Sequence, residues 1–312
     1  MIKKANSVDI ADKKIRILIA GYPGIGKSTL ALSAPKPLHI DVDFGIDRIE
    51  PRYRCDYIQP KSYDEILQDL TPENVKDYDS LVFDTGGKLI SLMSLWAIKK
   101  DPKYGQRDGS LSLKGYGFVG KEFQRLMDYC FYELGKHIVM VFHAVEDKDG
   151  DNTRLRIKVE GQTKNNVWET QDLGGFVEMY GEDRTIGFSN CERYFAKGTR
   201  GINGIMKIPA LGSGDENNFL ALLFKKYGEK SAEEAARIEE EKNIYDAAIA
   251  MAAALIDSVV DAATANEAAP KFKAIRHGLT SAKETAIAWN EKMKALHLSY
   301  DKALKEYTKE EA

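Results

Sequence analysis

Residues 21–28 read Gly21-Tyr22-Pro23-Gly24-Ile25-Gly26-Lys27-Ser28, a full match to G-x-x-x-x-G-K-[ST]. The match stands between an apolar run, Ile15 to Ala20, and a helix-type run, Lys27 to Ser33. A strand, a glycine-rich turn and a helix in that order make a loop whose backbone N–H groups turn inward around a phosphate. Glycine is needed because part of such a turn is left-handed, a conformation that side chains resist. In this loop Lys27 neutralises the β- and γ-phosphates, and Ser28 offers its hydroxyl to magnesium. Gly21, Tyr22, Pro23, Gly24, Ile25, Gly26, Lys27, Ser28 and Thr29 are therefore the candidate nucleotide-binding residues, with ATP and Mg2+ as the implied cofactors. A glycine-rich turn that binds nothing is the competing reading, and the strand and helix flanks weigh against it.

Outward from the loop the chain alternates apolar runs with helical ones. Leu38 to Val42, Leu81 to Phe83 and Ile138 to Phe142 are apolar on both faces, as strands of a helix-covered parallel sheet are. Tyr63 to Leu70, Lys88 to Ile98 and Phe118 to Leu134 read as crossover helices. The class is α/β with a mostly parallel central sheet. Leu155 to Val159, Phe176 to Tyr180, Thr185 to Phe188 and Ile205 to Ile208 are short β-type pieces punctuated by glycine turns, which predict a β-hairpin extension.

Beyond Gly228 the composition turns rich in Ala and Glu, so the division expected is a core over 1–227 and an α-helical C-terminal appendage over 228–312. Ser231 with Glu234 fits a capping box at the start of the first tail helix, and Pro270 and Gly278 separate it from a second one over Ser281 to Thr308. Ile244, Ala248, Met251, Leu255 and Val259 form a stripe at helical spacing, with Trp289 and Met293 on its expected partner.

The chain has 312 residues, and 45 Lys plus Arg stand against 48 Asp plus Glu. The formal charge of −3 gives no global positive field, so any nucleic-acid binding needs a local patch. Cys55, Cys130 and Cys191 are far apart, which excludes a disulfide framework and a Cys-x-x-Cys zinc site. Apolar stretches such as Ala247 to Ile256 are too short to span a bilayer, and the start carries no leader pattern, so a cytoplasmic protein without a membrane is expected.

A carboxylate at the end of a neighbouring strand should hold the magnesium through water, and Leu81-Val82-Phe83-Asp84 supplies it, giving Ser28 and Asp84 as the metal-side pair. Asp84-Thr85-Gly86-Gly87 also spells the D-x-x-G of GTPases, but no Asn-Lys-x-Asp follows, and Thr163-Lys164-Asn165-Asn166 is a poor substitute.

Ile40-Asp41-Val42-Asp43, after the first crossover, joins the phosphate loop, Val82-Phe83-Asp84-Thr85, Ile138 to Phe142 ending in His143, and Ala196-Lys197-Gly198-Thr199-Arg200. In that order these pieces resemble the RecA-like ATPases, and more narrowly the phage-encoded, core-only RecA-like family of recombination and single-strand-annealing ATPases, the phage nucleotide-binding AAA proteins. The resemblance covers roughly Ile15 to Pro209. It implies a RecA-like P-loop NTPase fold, Asp43 as general base, His143 as sensor of the γ-phosphate, and Lys197 or Arg200 as a finger reaching a neighbouring subunit. Asp43 is shorter than the Glu of many relatives, and Asp41 competes for the role. Asp43 could equally cap a turn, His143 could be structural, and Lys197 and Arg200 could be solvated strand charges.

The resemblance further implies single-stranded DNA as partner and a homo-oligomer, ring or filament. Two charged segments stand where DNA-binding loops would lie, Lys99 to Gly117 and Lys148 to Asn166, and both mix cations with aromatic or apolar residues. The tail helices could also dock a single-strand-binding or replication protein. The function expected is a Mg-dependent ATPase in phage-type recombination, repair or annealing. The alternative is a nucleotide-regulated binding or assembly protein with little turnover.

Overall fold

The computed structural model describes residues 14–149, 152–159, 163–301 and 304–309. In chain order the first unit contains β1 (Arg16–Gly21), α1 (Lys27–Ala31), β2 (Pro37–Asp41), β3 (Tyr57–Ile58), α2 (Tyr63–Asp69), α3 (Pro72–Val75), β4 (Ser80–Asp84), α4 (Gly86–Lys100), α5 (Leu113–Asp128), β5 (His137–Asp149), β6 (Asn152–Ile157), α6 (Thr163–Glu169), β7 (Leu173–Tyr180), β8 (Asp183–Gly187) and β9 (Ile205–Lys207). Then follow α7 (Phe219–Ser258), α8 (Ala262–Lys273), α9 (Ser281–Ala295), β10 (Leu298–Asp301) and β11 (Glu306–Lys309). The chain divides into two compact units, Asp12–Lys230 and one holding Ser231–Ala312.

The main sheet has the order β3-β2-β4-β5-β1-β7-β8-β9, with β6 paired to β5. From β3 to β7 the neighbours on this path run parallel, and β8 and β9 add antiparallel. Alternation along each strand sorts the apolar side chains onto two faces. Leu18, Ala20, Ile40, Phe83, Met140 and Phe142 join the core under α2, α4 and α5. Ile17, Ile19, Val82, Val139 and Val141 join the other, with Leu30 and Ala31 of α1 and Leu220, Leu223 and Phe224 of α7. Both faces are covered, which is why the strand runs are mainly apolar, with His39 and Asp41 of β2 as buried polar exceptions.

The mostly parallel α/β class agrees with the sequence reading; several local expectations do not. The hairpin extension is present in the antiparallel pairs β5–β6, β7–β8 and β8–β9, but β7 also belongs to the parallel set through its pairing with β1. β5 does not end at His143; its parallel pairing stops there, and from Ala144 it pairs antiparallel with β6. The long helix starts at Phe219 rather than Ser231, and Gly228 lies inside it. Leu220, Leu223, Phe224 and Tyr227 repeat at helical spacing and are buried, and this packing outweighs the roughly 1 kcal/mol that an interior Gly costs. Pro270 stands inside α8, whose N-terminus instead carries an Asp261–Thr264 capping box. Met251, assigned to the apolar stripe, is 59% exposed. The last expected helix stops at Ala295, and β10 and β11 form a hairpin in place of its end.

Among the described residues no helix is long and apolar enough to cross a membrane.

Candidate nucleotide site

The sheet order places β1 between β5 and β7 while its chain successor β2 lies three positions away, beyond β5 and β4. That reversal opens a crevice at the C-terminal ends of the strands, where ligands of α/β folds bind. Register brings the candidates to this edge: Gly21 pairs with His143, and Asp41 with Asp84. The N–H of Asp43 donates to the carbonyl oxygen of Asp84 at 3.3 Å, tying the ends of β2 and β4 together.

The loop itself is held by sterics. A Cβ on Gly21 would lie 2.7 Å from the Val177 carbonyl oxygen, a backbone atom of the neighbouring strand. Gly24 and Gly26 have φ of +79° and +87°, the left-handed region that favours glycine. Lys27 follows directly as the first residue of α1 and is 5% exposed. Its ammonium donates to the Tyr22 carbonyl oxygen at 2.7 Å. Burial pushes its pKa down to about 8, against the opposing charge of Asp84.

Asp84, at the end of β4, is 6% exposed, and His39 Nε2 lies 3.7 Å from its Oδ2. Neither ring nitrogen of His39 has a hydrogen-bond partner. The Asp84–Thr85 peptide is cis, and the Thr85 hydroxyl accepts from the Lys88 N–H at 3.4 Å, capping α4.

Asp43, expected as the base, and its competitor Asp41 occupy different environments. The Asp41 carboxylate is buried and accepts from the N–H groups of Gly45 at 2.8 Å and Ile46 at 3.0 Å, and from Gln59 Nε2 at 2.8 Å. It organises the turn after β2. Asp43 is half-buried, its Oδ2 lies 3.4 Å from Arg48 Nη2, and it faces a cavity. Replacing Asp41 with Ala should therefore destabilise the protein by roughly 2–4 kcal/mol, because three donors lose a charged acceptor. Urea unfolding checks this, and a change under 0.5 kcal/mol would contradict the assignment of Asp41 to the turn.

His143 is half-buried and its Nδ1 has no partner. Burial lowers its pKa first and the Lys27 charge lowers it further, while Asp43 and Asp84 pull the other way. The ring is accordingly neutral at pH 7. Lys27, Asp43, Asp84 and His143 thus share one electrostatic neighbourhood. The cavity beside them, about 570 Å3, is lined among others by Asp43, Thr85, Lys88, Tyr116, His143 and Lys158.

Three residues near the site escape the sequence reading: His39 stands beside Asp84, Glu146 Oε1 accepts from the Tyr22 hydroxyl at 2.5 Å, and the Arg184 guanidinium abuts Gly26. No local pattern marks them, since each arrives through strand register.

Lys197 and Arg200 lie elsewhere. Lys197 bridges Gly174, which pairs with Leu18 in the middle of β1, and its ammonium donates to the Gln171 carbonyl oxygen at 2.5 Å. Arg200 sits over the Tyr227 ring, 5.5 Å from its centroid. Three strand residues, about 10 Å, separate Leu18 from the end of β1, and the Lys197 ammonium is engaged at Gln171, so Lys197 is not brought to the loop of its own chain.

The model of the AAA domain family matches residues 13–200. The chain belongs to the AAA-domain family. The part of the chain matched to the AAA domain takes in the phosphate loop, Asp43, Asp84 and His143. Membership makes the chain a P-loop NTPase and implies ATP binding. No curated protein matches the chain. Among the described residues of the AAA domain and the rest of the chain, no group of three or more His, Cys, Asp or Glu could hold a metal ion. Magnesium carried by nucleotide phosphates needs only one or two protein oxygens, and the Ser28 hydroxyl and Asp84 carboxylate are of that kind.

Proposed function

We propose that the protein is a magnesium-dependent ATPase that acts in phage-type DNA recombination, repair or single-strand annealing, and that it works as an oligomer on single-stranded DNA. The observation that carries the ATPase reading is the convergence of Lys27, Asp84, Asp43 and His143 on the edge of the sheet from which the phosphate loop leaves. The loop N–H groups and Lys27 bind and orient the phosphate chain. When bound, magnesium neutralises charge on the β- and γ-phosphate oxygens, and Ser28 and Asp84 would hold it. Asp43 orients the attacking water and accepts its proton, and neutral His143 hydrogen-bonds beside it.

The DNA part rests on chemistry next to this site. Lys88, Tyr116 and Lys158 line the cavity, and a second groove combines Arg154, Arg156 and Lys164 with Trp168 and Phe195. Cations follow a phosphate backbone and aromatic faces stack bases, which is how sequence-tolerant single-strand sites are built. Residues 150–151 and 160–162 of that segment lie outside the described residues.

Asp43→Asn is expected to keep ATP binding and to lower hydrolysis by about 10²- to 10⁴-fold, the usual contribution of a general base. Phosphate release measured beside nucleotide binding checks it; full turnover in the variant would move the base elsewhere. Measuring the wild-type rate with and without single-stranded DNA tests the wider reading. Stimulation supports it, whereas tight ATP binding without turnover would replace it with a nucleotide-controlled switch.

A further inference from the structure

A guanidinium from β8 presses on the phosphate loop. β8 runs antiparallel to β7, with Arg184 opposite Met179 and Ile186 opposite Val177, and Val177 pairs with Gly21 at the last residue of β1. Side chains two apart on a strand share a face, so Arg184 projects from the same face as Ile186, which belongs to the core containing Leu30 and Ala31 of α1. Arg184 thereby reaches the turn that begins this helix. A Cβ built on Gly26 would lie 2.1 Å from Arg184 Nη1. Gly26 is thus needed for this approach as well as for its φ.

The charge state of Arg184 is the second observation. Arg16, Arg48, Arg125, Arg156 and Arg193 each face a carboxylate. Arg184 is half-buried, and among the described residues no carboxylate pairs with it. Burial lowers its pKa and no acidic neighbour opposes the shift. A cation partly stripped of water without a counter-ion is unfavourable, so the position favours an anionic ligand beside it. The guanidinium fork matches phosphate oxygens in geometry and is never deprotonated at working pH.

We propose that Arg184 is a phosphate-binding residue acting in cis, the counter-ion held beside the loop for the triphosphate that the loop grips. The proposal rests on the ATPase reading and deepens it. It gives the chain its own second cation after Lys27, supplied by the sheet, so charge neutralisation at the phosphates does not wait for a neighbouring copy. It also makes Gly26 and Arg184 a coupled pair, because a side chain at 26 would displace the guanidinium.

The test compares wild type with Arg184→Ala, Arg184→Lys and Arg184→Gln, reading the Kd of a non-hydrolysable ATP analogue with magnesium, phosphate release, and the melting temperature without nucleotide. Loss of one charge-assisted phosphate contact should raise the analogue Kd of Arg184→Ala and Arg184→Gln by about tenfold to a hundredfold, with Arg184→Lys in between. Guanidinium ion at a non-denaturing concentration should recover part of the affinity of Arg184→Ala and none of that of Lys27→Ala. The nucleotide-free melting temperature should stay level or rise, since an uncompensated charge is removed. Analogue affinity equal to wild type in Arg184→Ala overturns the proposal and leaves the ATPase reading standing. A lowered melting temperature with unchanged affinity overturns it too, by showing a packing role. If wild type binds no ATP, the ATPase reading falls and this proposal with it.

Discussion

Replacing Lys27 with methionine is expected to abolish ATP hydrolysis and, in the same protein, to stabilise the nucleotide-free fold. Hydrolysis should fall by about 10³-fold or more, because the only cation inside the loop is lost where charge develops on the transferring group. The stability gain follows from burial. Lys27 is 5% exposed and burial brings its pKa to about 8 against an ordinary 10.5, so the fold carries an unfavourable charge at neutral pH. Methionine keeps the aliphatic stem without it, a gain of roughly 1–3 kcal/mol. Below pH 8 both folded and unfolded chains hold the proton, and the penalty is fully present. Between pH 8 and 10.5 the unfolded chain holds a proton that the folded chain has released, so wild-type stability rises with pH there. Urea unfolding at pH 7 and near pH 10 should show the gap between variant and wild type narrowing as pH rises. A Lys27→Met protein less stable than wild type at pH 7 would remove this account.

The other large effect is structural and lies one step from the metal-side carboxylate. Gly86 opens α4, and a Cβ there would stand 2.3 Å from Phe142 Cζ, with two further ring atoms at 2.7 and 2.8 Å. Phe142 is fully buried in the core beneath α4 and has nowhere to retreat. Gly86→Ala should destabilise the protein by about 3 kcal/mol, as over-packing in a tight core does. Gly117, also helical but with nothing within 4 Å of its built Cβ, provides the contrast. Gly117→Ala should stabilise by about 0.5–1 kcal/mol through helix propensity. The double variant Gly86→Ala with Phe142→Leu should be more stable than the sum of its parts predicts, since the smaller side chain makes room. Additive losses would show that the two residues do not meet.

How much of this was legible beforehand follows from the range of each interaction. β1, β2, β4 and β5 could be read because parallel strands buried on both faces leave unbroken apolar runs, and the phosphate loop because its glycines and lysine are adjacent in sequence. Asp41 and Asp43 could not be separated, since the three donors on Asp41 include Gln59, eighteen residues away. Arg184, His39 and Glu146 reach the site only through pairing between strands distant in the chain. In the tail, the local signals at Ser231 and Pro270 gave way to packing further along, with Leu220, Leu223 and Phe224 drawing the helix start back to Phe219.

β5 carries its own mechanical meaning. It leaves the parallel sheet at His143 and runs on for six residues with β6 beside it, about 20 Å of two-stranded ribbon. Its root is pinned to Tyr22 through Glu146. A ribbon clamped at one end behaves as a pointer: a tilt of about 0.1 radian at the clamp sweeps the tip by about 2 Å, given the rise per strand residue. Any shift of the phosphate loop that carried Tyr22 with it would therefore be read out, enlarged, at the far end of this ribbon.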